Sequence, residues 1–219
     1  MIAWWAIVAL AGPETPFARV GERIRTTNRR GGEKAWIAPD GVAVRRRLPG
    51  PDGTLIDHHQ DASGHVVTTL VWRGESLESA TMVRGGPVPV DVAGWSSVSP
   101  VPAFTIWSPA LPAPAAEVAG GLLRYDALEA TDPFAPTFEA ALLDGAGGVL
   151  LDRSTEYVDG RACARFLIAL PDGGEGQLVE VWAAPTTTAL HVLSYRTPGA
   201  DDDALAPGRV AWATWRWTK

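Results

Sequence analysis

Short apolar runs broken by Pro- and Gly-rich clusters constrain this chain more than any other feature. Pro49-Gly50-Pro51-Asp52-Gly53 and Gln60-Asp61-Ala62-Ser63-Gly64 are turn sequences, and Pro39-Asp40-Gly41 is a third. Proline presets φ, glycine admits positive φ, and Asp or Ser bonds its own backbone two residues on. With 23 Gly and 18 Pro in 219 residues, strands joined by turns are expected more than long helices. Residues 54–59 and 65–72 read as a hairpin around the 60–64 loop. In its second strand Val66, Thr68, Leu70 and Trp72 line one face, because side chains alternate along a strand. Residues 35–37, 41–48 and 78–83 read as further strands, and 14–34 as a polar, basic arm or short helix.

Residues 85–102 run through Gly-Gly-Pro-Val-Pro and Ser-Ser-Val-Ser-Pro-Val-Pro. Proline cannot donate to a sheet ladder, so a linker or extended crossover is expected here. The chain then divides into an apolar start (1–11), a basic β-hairpin-rich part (12–84), the linker (85–102) and a C-terminal domain (103–219). In the last of these, 104–107 and 122–128 read as strands. Asp132-Pro133 has the form of an N-cap with proline at the first helical position. Phe134, Phe138, Ala141, Leu142 and Gly145 follow with helical spacing, and Gly147-Gly148 supplies a left-handed stop. Strands 161–170, 177–184 and 189–196 are joined closely enough for antiparallel hairpins. Pro207-Gly208 argues for no more than a short turn before the end. The expected fold class is α+β, an antiparallel sheet with one or two flanking helices, preceded by the hairpin-rich N-terminal part.

The order of these elements resembles the PsbP-like fold of small exported bacterial proteins. The resemblance rests on residues 104–109, the helix with its glycine stop (134–148), and Tyr157-Val158-Asp159-Gly160-Arg161 before the 164–170 strand. The strand pair 175–182 and 190–195 and the closing Thr214-Trp215-Arg216-Trp217 complete it. It covers about half the chain, and none of its motifs is chemically specific. It implies an antiparallel sheet with flanking helices and a non-catalytic binding or assembly role. Members usually carry a helix before the last strand, which Pro207-Gly208 does not lead one to expect here.

The formal charge of −6 argues against a general nucleic-acid binder. Nine of the 19 basic residues nevertheless lie between Arg19 and Arg47, a patch suited to anionic lipid headgroups or an acidic protein. The first eleven residues are apolar without interruption, too few to span a bilayer. Ala9-Leu10-Ala11 matches the small-x-small rule for signal cleavage before Gly12, although no basic residue precedes it. Export, a buried element, or an apolar plug docked in a larger assembly are the three readings. Export ranks first and places the protein in the periplasm or outside the cell. The single cysteine, Cys163, excludes an intrachain disulfide and fits a small buried hydrophobe.

Candidate chemistry is sparse. Asp57-His58-His59-Gln60-Asp61 and His65 form the one metal-flavoured cluster. If the hairpin sets His59 opposite His65, those two and Asp61 could ligate a metal, giving a metal-binding protein or metal-dependent enzyme as the alternative function. His191 lies on a strand face with Leu193 and Tyr195, and no Gly-x-Ser-x-Gly elbow accompanies it. Gly145-Ala-Gly-Gly148 ends a helix instead of opening one, so it is no phosphate loop, and no cofactor is expected. Ten tryptophans include Trp215 and Trp217 on one face of the last strand, either core or a stacking platform. The leading expectation is a non-catalytic exported binding or scaffold protein with a protein partner. Its docking residues would be Arg45, Arg46, Arg47, Trp215 and Trp217.

Overall fold

The computed structural model describes residues 25–28, 32–38, 43–61, 63–83, 86–171 and 176–218. The apolar start, most of the basic arm and the Pro39-Asp40-Gly41 turn lie outside them. The described chain is mostly antiparallel β-sheet with two short helices. It falls into two compact units of discontinuous sequence.

One unit holds residues from Arg23–Pro112, Tyr157–Gly160 and Ala206–Lys219. Its main sheet is a seven-stranded antiparallel meander: β1 (Arg25–Asn28), β2 (Lys34–Ile37), β3 (Ala43–Pro49), β4 (Thr54–Gln60), β5 (Val66–Arg73), β6 (Ser76–Val83) and β7 (Pro87–Val90). A three-stranded sheet is made by β8 (Ser96–Val101), β9 (Phe104–Ser108) and the closing β16 (Arg216–Trp217), in the order β16-β9-β8. The alternation read in 66–72 holds, with Thr68, Leu70 and Trp72 all buried. Leu70 and Trp72 share a core with Leu77, Ala80, Val92, and Val210 and Ala213 of helix α2 (Ala206–Ala213).

Two expectations fail in this unit, both for reasons proline explains. The stretch 85–102 is not a linker but contains β7 and β8, each at the edge of its sheet. Pro87 and Pro89 sit on alternate positions of β7, while Val88 and Val90 alternate with them and are more buried. An edge strand tolerates prolines whose missing donors would have faced outward. The turn expected around Pro207-Gly208 is helix α2. Pro207 is its second residue, where no intrahelical donor is needed, and Val210, Ala211 and Trp212 bury the following turn. The division of the chain therefore differs from a single boundary near 102, because 206–219 and the 157–160 turn belong with the N-terminal strands.

The other unit, Ala113–Glu156 with Arg161–Leu205, is built on a six-stranded antiparallel sheet. Its strands are β10 (Ala115–Val118), β11 (Gly121–Glu129), β12 (Val149–Val158), β13 (Arg161–Leu170), β14 (Gln177–Pro185) and β15 (Ala189–Arg196), in the order β10-β11-β15-β14-β13-β12. Helix α1 (Pro136–Ala146) lays Phe138, Leu142 and Ala146 on Ala164, Phe166, Ile168, Val179, Val181 and Leu190. The helix starts three residues later than the Asp132-Pro133 signal, with Ala135 at the cap and Pro136 in the first turn. Asp132 instead accepts the Phe134 N–H at 2.9 Å and turns the chain into the helix. Gly147 ends it in the left-handed region at φ 65°. Nothing lies within 4 Å of a Cβ built there, so Gly147→Ala has only the backbone conformation to strain. The substitution should cost about 1 kcal/mol in urea denaturation, with no change in the native spectrum.

Candidate functional site

The seven-stranded sheet changes character across one face. Cross-strand pairing builds two rows, Trp36–Arg45–His59–Thr68–Met82 and Lys34–Arg47–Asp57–Leu70–Ala80. Toward β5 and β6 the rows are apolar, with Leu70, Ala80 and Met82 at 3% exposure or less. Toward β3 and β4 the same face carries charge, although Arg45 and Asp57 are equally withdrawn from water. A buried charge needs a partner, and here the partners are each other.

Asp57 is the hub. Arg47 lies directly opposite and donates twice, from Nε to Oδ1 at 2.8 Å and from Nη2 to Oδ2 at 2.6 Å. Arg45 adds a bond from Nη2 to Oδ2 at 2.6 Å. Burial alone would raise the Asp57 carboxyl, but the hydrogen bonds from Arg47 and the charge of Arg45 outweigh it. The group is held well below the usual carboxylate range. Arg45 also covers the Trp36 ring, its guanidinium carbon 4.3 Å from the centroid.

The third guanidinium comes from β16. Arg216 places Nη2 3.6 Å from Asp57 Oδ2, an ion-pair distance too long for a hydrogen bond. Its Nη1 donates to the carbonyls of Trp215 at 2.6 Å and Ala213 at 3.1 Å. Burial, and then the charge of Arg45, lower Arg216 to about 9, which leaves it cationic at neutral pH. Asp159, in the turn after β12, accepts the Trp217 N–H at 2.9 Å and adds the second negative charge to the group. His59 sits opposite Arg45 and is held well below its ordinary value, by burial first and by Arg45 and Arg216 next, so it is neutral at pH 7. Three buried donors or acceptors here have no hydrogen-bond partner among the described residues: Arg45 Nε, Arg216 Nη2 and His59 Nε2.

Among the residues singled out in the sequence, His59 belongs to this cluster and His65 does not. The β4–β5 register sets His59 opposite Thr68, not His65. His65 stands in the turn with its side chain 82% exposed, 3.7 Å from Asp61. Asp61 spends Oδ1 on the N–H groups of Ser63 and His65, the work of a turn residue. No group of three metal-capable side chains occurs among the described residues. Arg45 and Arg47 are not an exposed basic patch, since both turn to Asp57, while Arg46 projects to the opposite face across from His58. Trp215 is fully buried and stacks on Phe104 at 3.7 Å, so it is core and not a platform. Trp217 is half-buried beside it. Sequence reasoning missed Arg216, Asp57 as an anchor, and Asp159.

The second unit buries its own polar groups in pairs. Arg165 joins Glu180, which is fully buried, to Asp152 at 2.7 Å. The Tyr125 hydroxyl lies 2.9 Å from His191 Nδ1, and burial followed by the charge of Arg161 lowers that histidine. Cys163 is buried, as expected of a structural thiol.

No protein-family model and no curated protein matches the chain. A solved structure from Bacteroides thetaiotaomicron VPI-5482 is similar at 13% identity and a TM-score of 0.28, covering 64% of this chain. The chain spans 45% of that structure's length.

Proposed function

We propose that this chain is a non-catalytic binding or scaffold protein, exported from the cytoplasm, with a PsbP-like second half. Its recognition groups lie on the inner face of β2–β4, completed by Arg216. The observation that carries this reading is the convergence of three guanidinium groups on one buried carboxylate, on a sheet face that turns apolar toward Leu70, Ala80 and Met82. A sheet that needed only a core would be more economically built with hydrophobic side chains, because replacing buried ion pairs by apolar residues is often neutral or stabilising.

The chemistry of the groups supports binding over catalysis. Asp57 accepts three hydrogen bonds from Arg45 and Arg47 and stays ionised, so it is committed to them and not free to shuttle a proton. His59 stays neutral beside two cations. The helix before the last strand, Ala206–Ala213, is an element that the PsbP-like resemblance implies. The small-x-small sequence ending at Ala11 supports export.

Native mass spectrometry of the full chain purified from its own source tests the reading. The expected spectrum contains a stoichiometric bound species, and the mature chain begins at Gly12. Turnover of a substrate at a rate abolished by one side-chain change in the cluster would overturn it.

A further inference from the structure

The charged group on β3, β4 and β16 does not balance. Among the described residues, Arg45, Arg47 and Arg216 face Asp57 and Asp159, while His59 is neutral, so one positive charge is left over in a region largely removed from water. Leaving a buried charge without a counter-charge is among the most costly arrangements a fold can contain. The surplus has a location. Asp57 is already saturated by Arg45 and Arg47, and Arg216 meets it only at 3.6 Å. Arg216 Nη2, Arg45 Nε and His59 Nε2 are the polar atoms here without hydrogen-bond partners among the described residues. Arg47 and Arg216 keep 33% and 27% of their side chains exposed, so the rim of the corner meets solvent while the three unpartnered atoms themselves lie buried beneath it.

We infer that the Arg216–Arg45–His59 corner binds the carboxylate of a small organic acid or of a peptide, as a monoanion that completes the pairing Asp57 leaves open. This deepens the binding function proposed above and rests on it. A carboxylate suits the corner better than a phosphate group on two counts. Its single charge matches the single surplus, whereas a phosphate monoester at neutral pH carries between one and two. Guanidinium forks take planar carboxylates with parallel N–H bonds, as Arg47 already does with Asp57.

Calorimetric titration of the full chain at constant ionic strength tests this with acetate, hexanoate, inorganic phosphate, and a short peptide in free-acid and C-terminally amidated forms. Hexanoate and the free-acid peptide distinguish the two sources of a carboxylate. Saturable binding of at least one of them, with no binding of the amidated peptide, is expected. Arg216→Gln should weaken it at least about tenfold, the worth of one charge-assisted hydrogen bond. Arg216→Lys keeps the charge without the fork and should fall between. Arg73→Gln, in an exposed pair with Glu78, should bind like the parent. Should Arg216→Gln fail to fold, His59→Gln reads the same corner through a group that carries no charge. Absence of carboxylate binding, tighter binding of phosphate, or binding by the Arg216 and His59 variants as tight as the parent's overturns the inference. If carboxylates fail while the native protein retains a neutral ligand, only the ligand class falls. If the native protein retains nothing, the binding function falls with it.

Discussion

Asp57→Asn should destabilise the chain by about 3–5 kcal/mol, the range for removing one partner of a buried ion pair. The side chain is fully buried, and the substitution keeps its shape while deleting the charge that Arg45 and Arg47 share. Arg45 is the more exposed to this loss in energetic terms, being the less exposed to water: 6% of its side chain is accessible, against 33% for Arg47. Urea denaturation followed by circular dichroism checks the figure. Asp152→Asn is the comparison, since it removes a carboxylate from Arg165 at a site 55% exposed, and should cost less than about 1 kcal/mol. The pH dependence has a definite sign. Asp57 titrates below its ordinary value of about 3.9 when folded, so its contribution is fully present above that value. Stability is lost as pH falls from there toward the folded value. The Asn variant should lack this part of the acid slope. Equal stability of the two proteins at neutral pH would mean the guanidiniums find other partners.

Local pattern carried much of the fold. The period-two alternation in Val66–Arg73 and the apolar runs of the three strands from Arg161 to Arg196 are visible because these segments are rich in buried apolar residues and their connections are short. What misled was proline. Pro87, Pro89 and Pro100 signal an interruption only if the strand is central, and being at an edge is a property of the assembled sheet. Pro207 likewise breaks a helix only from its interior, and nothing nearby in sequence says that the helix begins one residue earlier. The site was less legible. The Arg45-Arg46-Arg47 run attracts notice as a patch of charge, yet alternation divides it, sending Arg46 to one face and its neighbours to the other. His59 was visible as a candidate metal ligand because His65 is close in sequence, but the register that decides the matter pairs it with Thr68. Arg216 reaches Asp57 from the far end of the chain, and no local spacing encodes that approach.

Trp215→Ala should be about as damaging as the loss of Asp57, by about 3–5 kcal/mol, for the opposite physical reason. Its ring is fully buried and lies nearly parallel to Phe104, 3.7 Å away at 13°. Trp212 meets it edge-on at 5.2 Å and Trp217 lies tilted against it at 5.3 Å, so three aromatic rings lose a common neighbour when it is cut back. The hole left by an indole in such surroundings cannot collapse without moving β9 or β16, which pair through Thr105 and Phe104. Trp215→Phe separates packing from polarity. The indole N–H has no hydrogen-bond partner among the described residues, so deleting it sacrifices no bond and removes an unsatisfied donor. The Phe variant should therefore recover most of what the Ala variant loses, despite the smaller ring. Thermal and urea unfolding of the three proteins, with near-ultraviolet circular dichroism to report the aromatic cluster, makes the comparison. A Phe variant as unstable as the Ala variant would mean that the indole N–H is bonded after all, and that this end of the sheet depends on polar pairing as well as on ring area.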